Sequence, residues 1–143
     1  MRLTIRDGTP GDAPRLATLL EQLGHPASAQ DIARRLELLG SSDADRVIVA
    51  EADGPVVALA SLHISVSIEF DQPGAELRTM VVDERHRRLG VGAALVSELE
   101  ADARRRRCAV LFLTRAGHRA DAHAFYRRIG FEETGKRFVK PLT

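Results

Sequence analysis

The feature that most constrains this chain is a glycine-bearing turn between an apolar strand and a helix, over residues 81–95. Val81 and Val82 end the strand, and Gly90 and Gly92 stand where the helix begins. The first N–H groups of a helix lack internal partners and, together with the helix dipole, favour an anion. Glycines at such a turn let a ligand lie against the main chain. The stretch therefore indicates an anion site, and a plain strand-to-helix turn is the alternative.

The spacing of the two glycines excludes two common phosphate-binding motifs. A P-loop requires a Gly-Lys-Ser/Thr ending, and the dinucleotide fingerprint requires a third glycine; this stretch has neither. Nucleotide hydrolysis and NAD binding are therefore not expected. Arg87 and Arg88 add positive charge directly before the turn.

The order of predicted elements favours a single α/β domain over residues 1–143. Asp12 and Ser28 are the expected caps of the first two helices. Apolar patterning predicts strands over 3–5, 46–52, 56–70, 75–83, 108–114 and 131–139, and helices over 12–23, 28–39, 91–103 and 120–129. The resulting order, β-αα-βββ-α-β-α-β, predicts a mixed, mostly antiparallel central sheet flanked by helices.

Composition narrows the classes of partner. The formal charge is +1, and the arginine run 104–107 lacks interleaved aromatic residues, so a solvated helix end is favoured over nucleic-acid binding. Cys108 is the single cysteine, and no Cys/His cluster has zinc spacing, so a reducing compartment and no metal are expected. No apolar run is long enough to span a bilayer. A soluble, cytoplasmic protein without a nucleic-acid or membrane partner is expected.

Arg87, Gly90 and Gly92 match the Gln/Arg-x-x-Gly-x-Gly/Ala motif, and the chain here resembles the GNAT family of N-acetyltransferases. The resemblance continues through the helix at 122–129 and the following Gly-Phe pair, covering roughly residues 75–135. It implies a single-domain GNAT-like fold and acetyl-CoA as cosubstrate, with no metal. It also implies direct transfer of acetyl, in a ternary complex, to a primary amine of a small molecule or peptide.

The resemblance also implies which residues hold acetyl-CoA. In the family, main-chain groups of the strand before the loop pair with the pantetheine arm, and one N–H polarises the thioester carbonyl. The loop and the helix start hold the pyrophosphate. The corresponding positions here are Met80, Val81 and Val82 on the strand, and Arg87, Arg88, Leu89, Gly90, Val91, Gly92 and Ala93 on the loop and helix.

Two residues are the catalytic candidates. Tyr126 is the only tyrosine, and a family tyrosine at this place protonates the leaving sulfur; the alternative is a core aromatic pair with Phe125. Glu76 stands eleven residues before Arg87. In the histone-acetyltransferase branch a glutamate at this spacing acts as general base, usually through water, whereas the alternative is an exposed strand-edge charge.

Departures from the family pattern leave an alternative function open. Arg119 occupies the place, seven residues before the tyrosine, where the family often has asparagine. A coenzyme A binding sensor or interaction module with weak catalysis is therefore the alternative. Cys108 is expected to be a buried, inert thiol rather than an acetyl carrier. His25 and His63 are the histidines expected nearest to an acceptor, and the acceptor amine and a homodimer are left open.

Overall fold

The computed structural model describes residues 1–114, 120–135 and 137–143, which form a layered α/β fold. The strands are β1 (Leu3–Asp7), β2 (Asp45–Ala52), β3 (Val56–Ser65), β4 (Gly74–Val82) and β5 (Val110–Phe112). The helices are α1 (Ala13–Leu23), α2 (Ala29–Gly40), α3 (Val91–Arg105) and α4 (Ala120–Arg128).

The five strands form one open sheet in the order β1-β2-β3-β4-β5. The first three pairings are antiparallel, whereas β4 and β5 run parallel. β2, β3 and β4 follow one another through loops, and α1 and α2 lie between β1 and β2. The parallel pair β4 and β5 is joined through α3, as a parallel crossover requires. The predicted mixed, mostly antiparallel sheet is therefore confirmed.

Each face of the sheet buries its own apolar core. On one face α3 packs against the sheet, with Leu95 and Leu99 completely buried. On the other face α1 and α2 pack, with Leu16 and Leu19 of α1 at 1% and 0% exposure. Burying a leucine side chain stabilises a fold by about 1.5–3 kcal/mol. β4 therefore lies between a layer formed by α3 and a layer formed by α1 and α2.

A β-bulge in β4 lies close to the candidate catalytic glutamate. The pairing with β3 skips Arg78, so that β4 carries one residue more than its partner there. Leu77 before the bulge and Met80 after it pack in the same core, although strict alternation would place residues three apart on opposite faces. Bulges re-aim side chains and are common next to active sites. The sequence pattern did not predict this one.

Three strand predictions are wrong. β5 covers only Val110–Phe112 instead of residues 108–114. β3 ends at Ser65 rather than continuing to residue 70. The apolar side chains beyond it do not pack against the protein: the exposed fraction is 87% for Val66, 104% for Ile68 and 69% for Phe70. Likewise, the described residues of 131–139 form no strand. Phe131 packs against the core, but polar residues follow it and Phe138 is 93% exposed, so the segment lacks a buried face.

The two predicted caps differ in their chemistry. Ser28 caps α2 as expected, since its hydroxyl accepts from the Asp31 N–H at 3.0 Å. Asp12 occupies the cap position of α1 without a side-chain cap bond. Its carboxylate instead accepts from the Thr9 N–H and, through both oxygens, from the Arg6 guanidinium at 2.8 and 2.9 Å. Asp12 thus ties β1 to the start of α1.

We expect Asp12→Asn to destabilise the fold at neutral pH and to lose that effect in acid. The hydrogen bond from Arg6 holds the pKa of Asp12 below its ordinary value. A depressed pKa contributes stability above the unfolded-state pKa, about 3.9, that is lost as pH falls through the folded value. Urea unfolding should show a deficit of about 1–2 kcal/mol at pH 7 that shrinks below about pH 4. Asp31→Asn, in an exposed pair with Arg34, is the control and should show less; equal stability of Asp12→Asn and wild type would contradict the prediction.

Candidate active site

The loop between β4 and α3 is held in an unusual backbone conformation. Gly90 is the residue before the first turn of α3 and has φ +84°, and Arg88 also lies in the left-handed region, at φ +64°. A Cβ at Gly90 would meet no heavy atom within 4 Å. Glycine is therefore required there for its conformation rather than for space. The N–H of Ala94 is the first to bond back, to the Gly90 carbonyl at 3.1 Å, so the N–H groups of the preceding turn are those available to an anion.

Gly92 is required for a different reason. A Cβ there would lie 3.2 Å from the tip of the Phe125 ring and 3.3 Å from the Met80 methyl group. The missing side chain lets α4 approach the first turn of α3. The second glycine of the motif therefore also packs the helix that carries Tyr126 against the helix that begins at the loop.

A buried carboxylate fastens the start of the loop to α1. Asp83 is 6% exposed, and it accepts from the guanidinium of Arg15 and, at 3.3 Å, from Gln22. The Gln22 side-chain oxygen in turn accepts from the Glu84 N–H at 3.0 Å. Burial alone would raise the pKa of Asp83, but these hydrogen bonds outweigh it and keep that pKa below its ordinary value. The loop after β4 is thereby tied to α1 through residues that the sequence analysis missed.

The pairing of β4 with β5 ends beside the candidate base. The two strands pair only from Gly74 to Glu76, opposite Val110 to Phe112, whereas β4 runs on to Val82. In the part of the chain that the structure describes, residues 77–82 therefore have no β5 partner on that edge. An unpaired strand edge offers N–H and C=O groups to an extended ligand. The part of β4 that is predicted to bind the cofactor, Met80 to Val82, lies on this unpaired edge.

Glu76 lies in a cleft of about 360 Å³, lined by Glu76, Arg78, Thr79, Thr114 and Arg137. One of its carboxylate oxygens accepts from Arg78 Nε at 3.0 Å, and the other from the Thr114 hydroxyl at 3.4 Å. Its side chain is 19% exposed. The Glu76 carboxylate is therefore mostly buried and is oriented by two hydrogen bonds, and its role as general base stays a prediction.

A second polar group shares the face of the sheet with Glu76. Asp45, His63 and Glu76 are register partners across β2, β3 and β4, and directly opposite residues share a face. His63 Nδ1 lies 2.8 Å from Asp45, whose other oxygen accepts from Ser42 at 2.7 Å. Burial would raise the pKa of Asp45, but the Ser42 and His63 contacts lower it below its ordinary value. His63 was predicted near the acceptor side, whereas its Asp45 partner was not.

Tyr126 packs on the face of the sheet that α3 covers. Its ring packs edge-on to Phe125 and Phe131, with centroids 5.3 and 5.6 Å apart, and contacts the α3-side core. Ala75 and Leu77 belong to that same core, so alternation points Glu76 between them the other way. The phenol and the carboxylate are therefore on opposite faces of β4.

The remaining candidates are less engaged with this site. Cys108 is half-buried against the α3-side core, and burial raises the pKa of its thiol, so a reactive thiolate is disfavoured. The arginines 104–106 are held by Glu100, Asp102 and the Asp43 carbonyl, as expected for a solvated helix end. His25 is exposed. His118 and Arg119, the position of the departure from the family pattern, lie outside the described residues.

A membrane-spanning helix and a metal-binding cluster are both absent from the described residues. No helix among residues 1–114, 120–135 and 137–143 is long and apolar enough to cross a membrane. Within the same ranges no group of three or more His, Cys, Asp or Glu side chains is arranged to hold a metal ion.

The chain combines a five-stranded mixed sheet, whose strand β4 runs past its pairing with β5, with a glycine turn at a helix start. The chain belongs to the Acetyltransferase (GNAT) family, whose model matches residues 16–131. It is an enzyme of the acetyltransferase class.

The chain is similar to characterised acetyltransferases. It is 32% identical over 135 residues to aminoglycoside N(6′)-acetyltransferase type 1 of Stenotrophomonas maltophilia, covering 92% of this chain and 87% of that protein. It is 31% identical over 94 residues to aminoalkylphosphonate N-acetyltransferase of Salmonella typhimurium, covering 66% of this chain and 61% of that protein. The fold is similar to that of glucosamine-6-phosphate N-acetyltransferase from Arabidopsis thaliana, with a TM-score of 0.84, 21% identity and full coverage of both chains.

Proposed function

We propose that the protein transfers acetyl from acetyl-CoA to a primary amine of a small molecule or peptide, directly and in a ternary complex. The observation that carries this is the edge of β4 at residues 77–82, which has no β5 partner among the described residues and runs from Glu76 to the loop before α3. The names of the relatives support an amine acceptor.

The residues present fit acetyl-CoA. The left-handed Gly90 turn and the first N–H groups of α3 would hold the pyrophosphate, with Arg87 and Arg88 beside them. The free edge of β4 at Met80, Val81 and Val82 would pair with the pantetheine arm. Bound there, acetyl-CoA supplies the activated acetyl group as a thioester.

Glu76 and Tyr126 would share the proton transfers from opposite faces of β4. Glu76, directly or through water, takes a proton from the acceptor ammonium, and the freed nitrogen forms a bond to the acetyl carbon. As the carbon–sulfur bond breaks, the Tyr126 hydroxyl gives its proton to the leaving sulfur, and the second proton lost by the acylated nitrogen returns to the phenolate directly or through solvent. The half-buried Cys108 thiol, with its raised pKa, supports direct transfer over an acetyl-cysteine intermediate.

We expect Glu76→Gln to reduce transfer about a hundredfold near neutral pH. The amide oxygen can still accept from Arg78 and the NH2 group can donate to the Thr114 hydroxyl, but the amide cannot take a proton. The rate should recover partly as rising pH deprotonates the free amine. The measurement is thiol release from acetyl-CoA with a panel of primary amines between about pH 6.5 and 9.5.

The matched control is Glu100→Gln on α3. Glu100 also pairs with an arginine, Arg104, at 2.9 Å, but lies outside the cleft, so its loss should leave transfer unchanged. A Glu76→Gln enzyme with wild-type activity at neutral pH would assign the base role elsewhere. Tight acetyl-CoA binding by the wild type without transfer to any amine would instead favour the sensor alternative.

A further inference from the structure

The cleft around Glu76 combines both signs of charge in one small volume. Its lining holds one carboxylate, two guanidinium groups and two hydroxyl groups within about 360 Å³. The two arginines, Arg78 and Arg137, give these side chains a formal excess of one positive charge. A cleft of this composition is suited to a ligand that carries an anion as well as a cation.

The bulge places one of these guanidinium groups beside the candidate base. Arg78 is the extra residue of β4, and its Nε donates to Glu76 at 3.0 Å. The Arg78 side chain is 52% exposed, and exposed ion pairs contribute little net stability. A ligand bearing both charges can therefore replace this pair with two new ones at small cost. Its ammonium would meet Glu76 and its anion would meet Arg78.

Arg137 supplies a second positive group to the same cleft. Among the described residues no carboxylate forms an ion pair with Arg137, so its guanidinium can bind an anionic ligand there. The Thr79 hydroxyl also lines the cleft and can donate to an oxyanion, whereas the Thr114 hydroxyl donates its proton to Glu76. Several donors converging on one place favour phosphonate, phosphate or carboxylate over an uncharged group.

We propose that the preferred acceptor is a primary amine that also carries an oxyanion, bound with its ammonium at Glu76 and its oxyanion between Arg78 and Arg137. This proposal rests on the proposed acetyl transfer and specifies its substrate class. A polyamine or an aminoglycoside carries further ammonium groups instead, and the arginine excess of the cleft repels them.

Matched amines test the proposal. The wild-type enzyme is assayed with 2-aminoethylphosphonate, β-alanine, ethanolamine and the polyamine spermidine, and kcat/KM is compared. We expect about a tenfold or greater preference for the phosphonate or the carboxylate over ethanolamine, and spermidine to be poorest. Comparing 2-aminoethylphosphonate with β-alanine shows whether the enzyme prefers a phosphonate or a carboxylate.

Variants of Arg78 and Arg137 then test whether the cleft causes this substrate preference. Arg78→Gln should lower the ratio of kcat/KM for 2-aminoethylphosphonate over ethanolamine about tenfold, chiefly through KM, and Arg137→Gln should lower it in the same direction. Arg78→Lys keeps the charge and should restore much of the ratio. Arg104→Gln, which removes an exposed and ion-paired arginine from α3, is the matched control and should leave it unchanged.

The outcomes separate this proposal from the proposed function. Transfer to ethanolamine or spermidine as fast as to the oxyanion-bearing amines would overturn the substrate class and leave the acetyltransferase activity standing. The same holds if Arg78→Gln and Arg137→Gln leave the ratio unchanged. Transfer to no amine, in the presence of bound acetyl-CoA, would overturn the proposed function itself.

Discussion

Gly90→Val is expected to weaken acetyl-CoA binding about a hundredfold in a protein that still folds. The wild-type residue has φ +84°, a conformation that a β-branched side chain adopts only with strain of about 1–3 kcal/mol. The turn must either shift or place the branched side chain beside the first N–H groups of α3. Losing two charge-assisted hydrogen bonds to a pyrophosphate, at about 1.5 kcal/mol each, corresponds to roughly a hundredfold rise in Kd.

The chain offers a matched control for the backbone strain. Gly54 has φ +115° in the β2–β3 hairpin and, like Gly90, has no heavy atom within 4 Å of an added Cβ. Gly54→Val should therefore lose similar stability and keep wild-type affinity for acetyl-CoA. Calorimetric titration with acetyl-CoA measures the affinity, and circular dichroism with thermal unfolding monitors the fold. Wild-type affinity in a folded Gly90→Val protein would contradict an anion site at this turn.

Gly92→Val, by contrast, would change ligand binding and side-chain packing at the same time. Its side chain would collide with Phe125 and Met80, so a loss of affinity there would not distinguish a blocked ligand from a displaced α4. The sequence motif assigns both glycines to the ligand. Only the three-dimensional packing separates their roles, because the contact with Phe125 joins residues 33 positions apart.

Local signals in the sequence predicted the local features well. The Ser28 cap, the helix start at Val91 and the strand before it depend on neighbouring residues, and all are present. The strand over 66–70 was wrong because alternation of apolar residues predicts a strand even where no opposite surface exists to bury them. The apolar periodicity of a segment indicates its local conformation. It does not indicate whether another part of the protein will bury its apolar side chains.

The features that build the site are mostly long-range and therefore escaped the sequence analysis. Asp83 meets Arg15 across 68 positions, and Asp45 meets His63 across 18. The bulge at Arg78 arises from the register of two strands rather than from any residue preference at that position. Glu76 and Tyr126 were identified only because the chain resembles a family in which those positions act. Their placement on opposite faces of β4 follows from the packing of Ala75 and Leu77.

Tyr126→Phe is expected to lower kcat about a hundredfold and to leave the KM for acetyl-CoA within about threefold. The substitution removes only the hydroxyl, and the ring contacts with Phe125 and Phe131 are kept. Without a proton donor the sulfur must leave as a thiolate. Because a phenol ordinarily has a pKa of about 10, the deficit should persist at every pH below that value.

This pH dependence distinguishes the tyrosine from the glutamate. A missing base is partly replaced as rising pH deprotonates the amine, so the Glu76→Gln deficit shrinks with pH, whereas the Tyr126→Phe deficit stays constant across the same range. Phe131→Leu is the packing control, since it removes a ring from beside Tyr126 and keeps the hydroxyl. It should lower thermal stability more than Tyr126→Phe does, and kcat less. A Tyr126→Phe enzyme at full rate across the pH range would remove the hydroxyl from the mechanism and leave Tyr126 as a core aromatic residue.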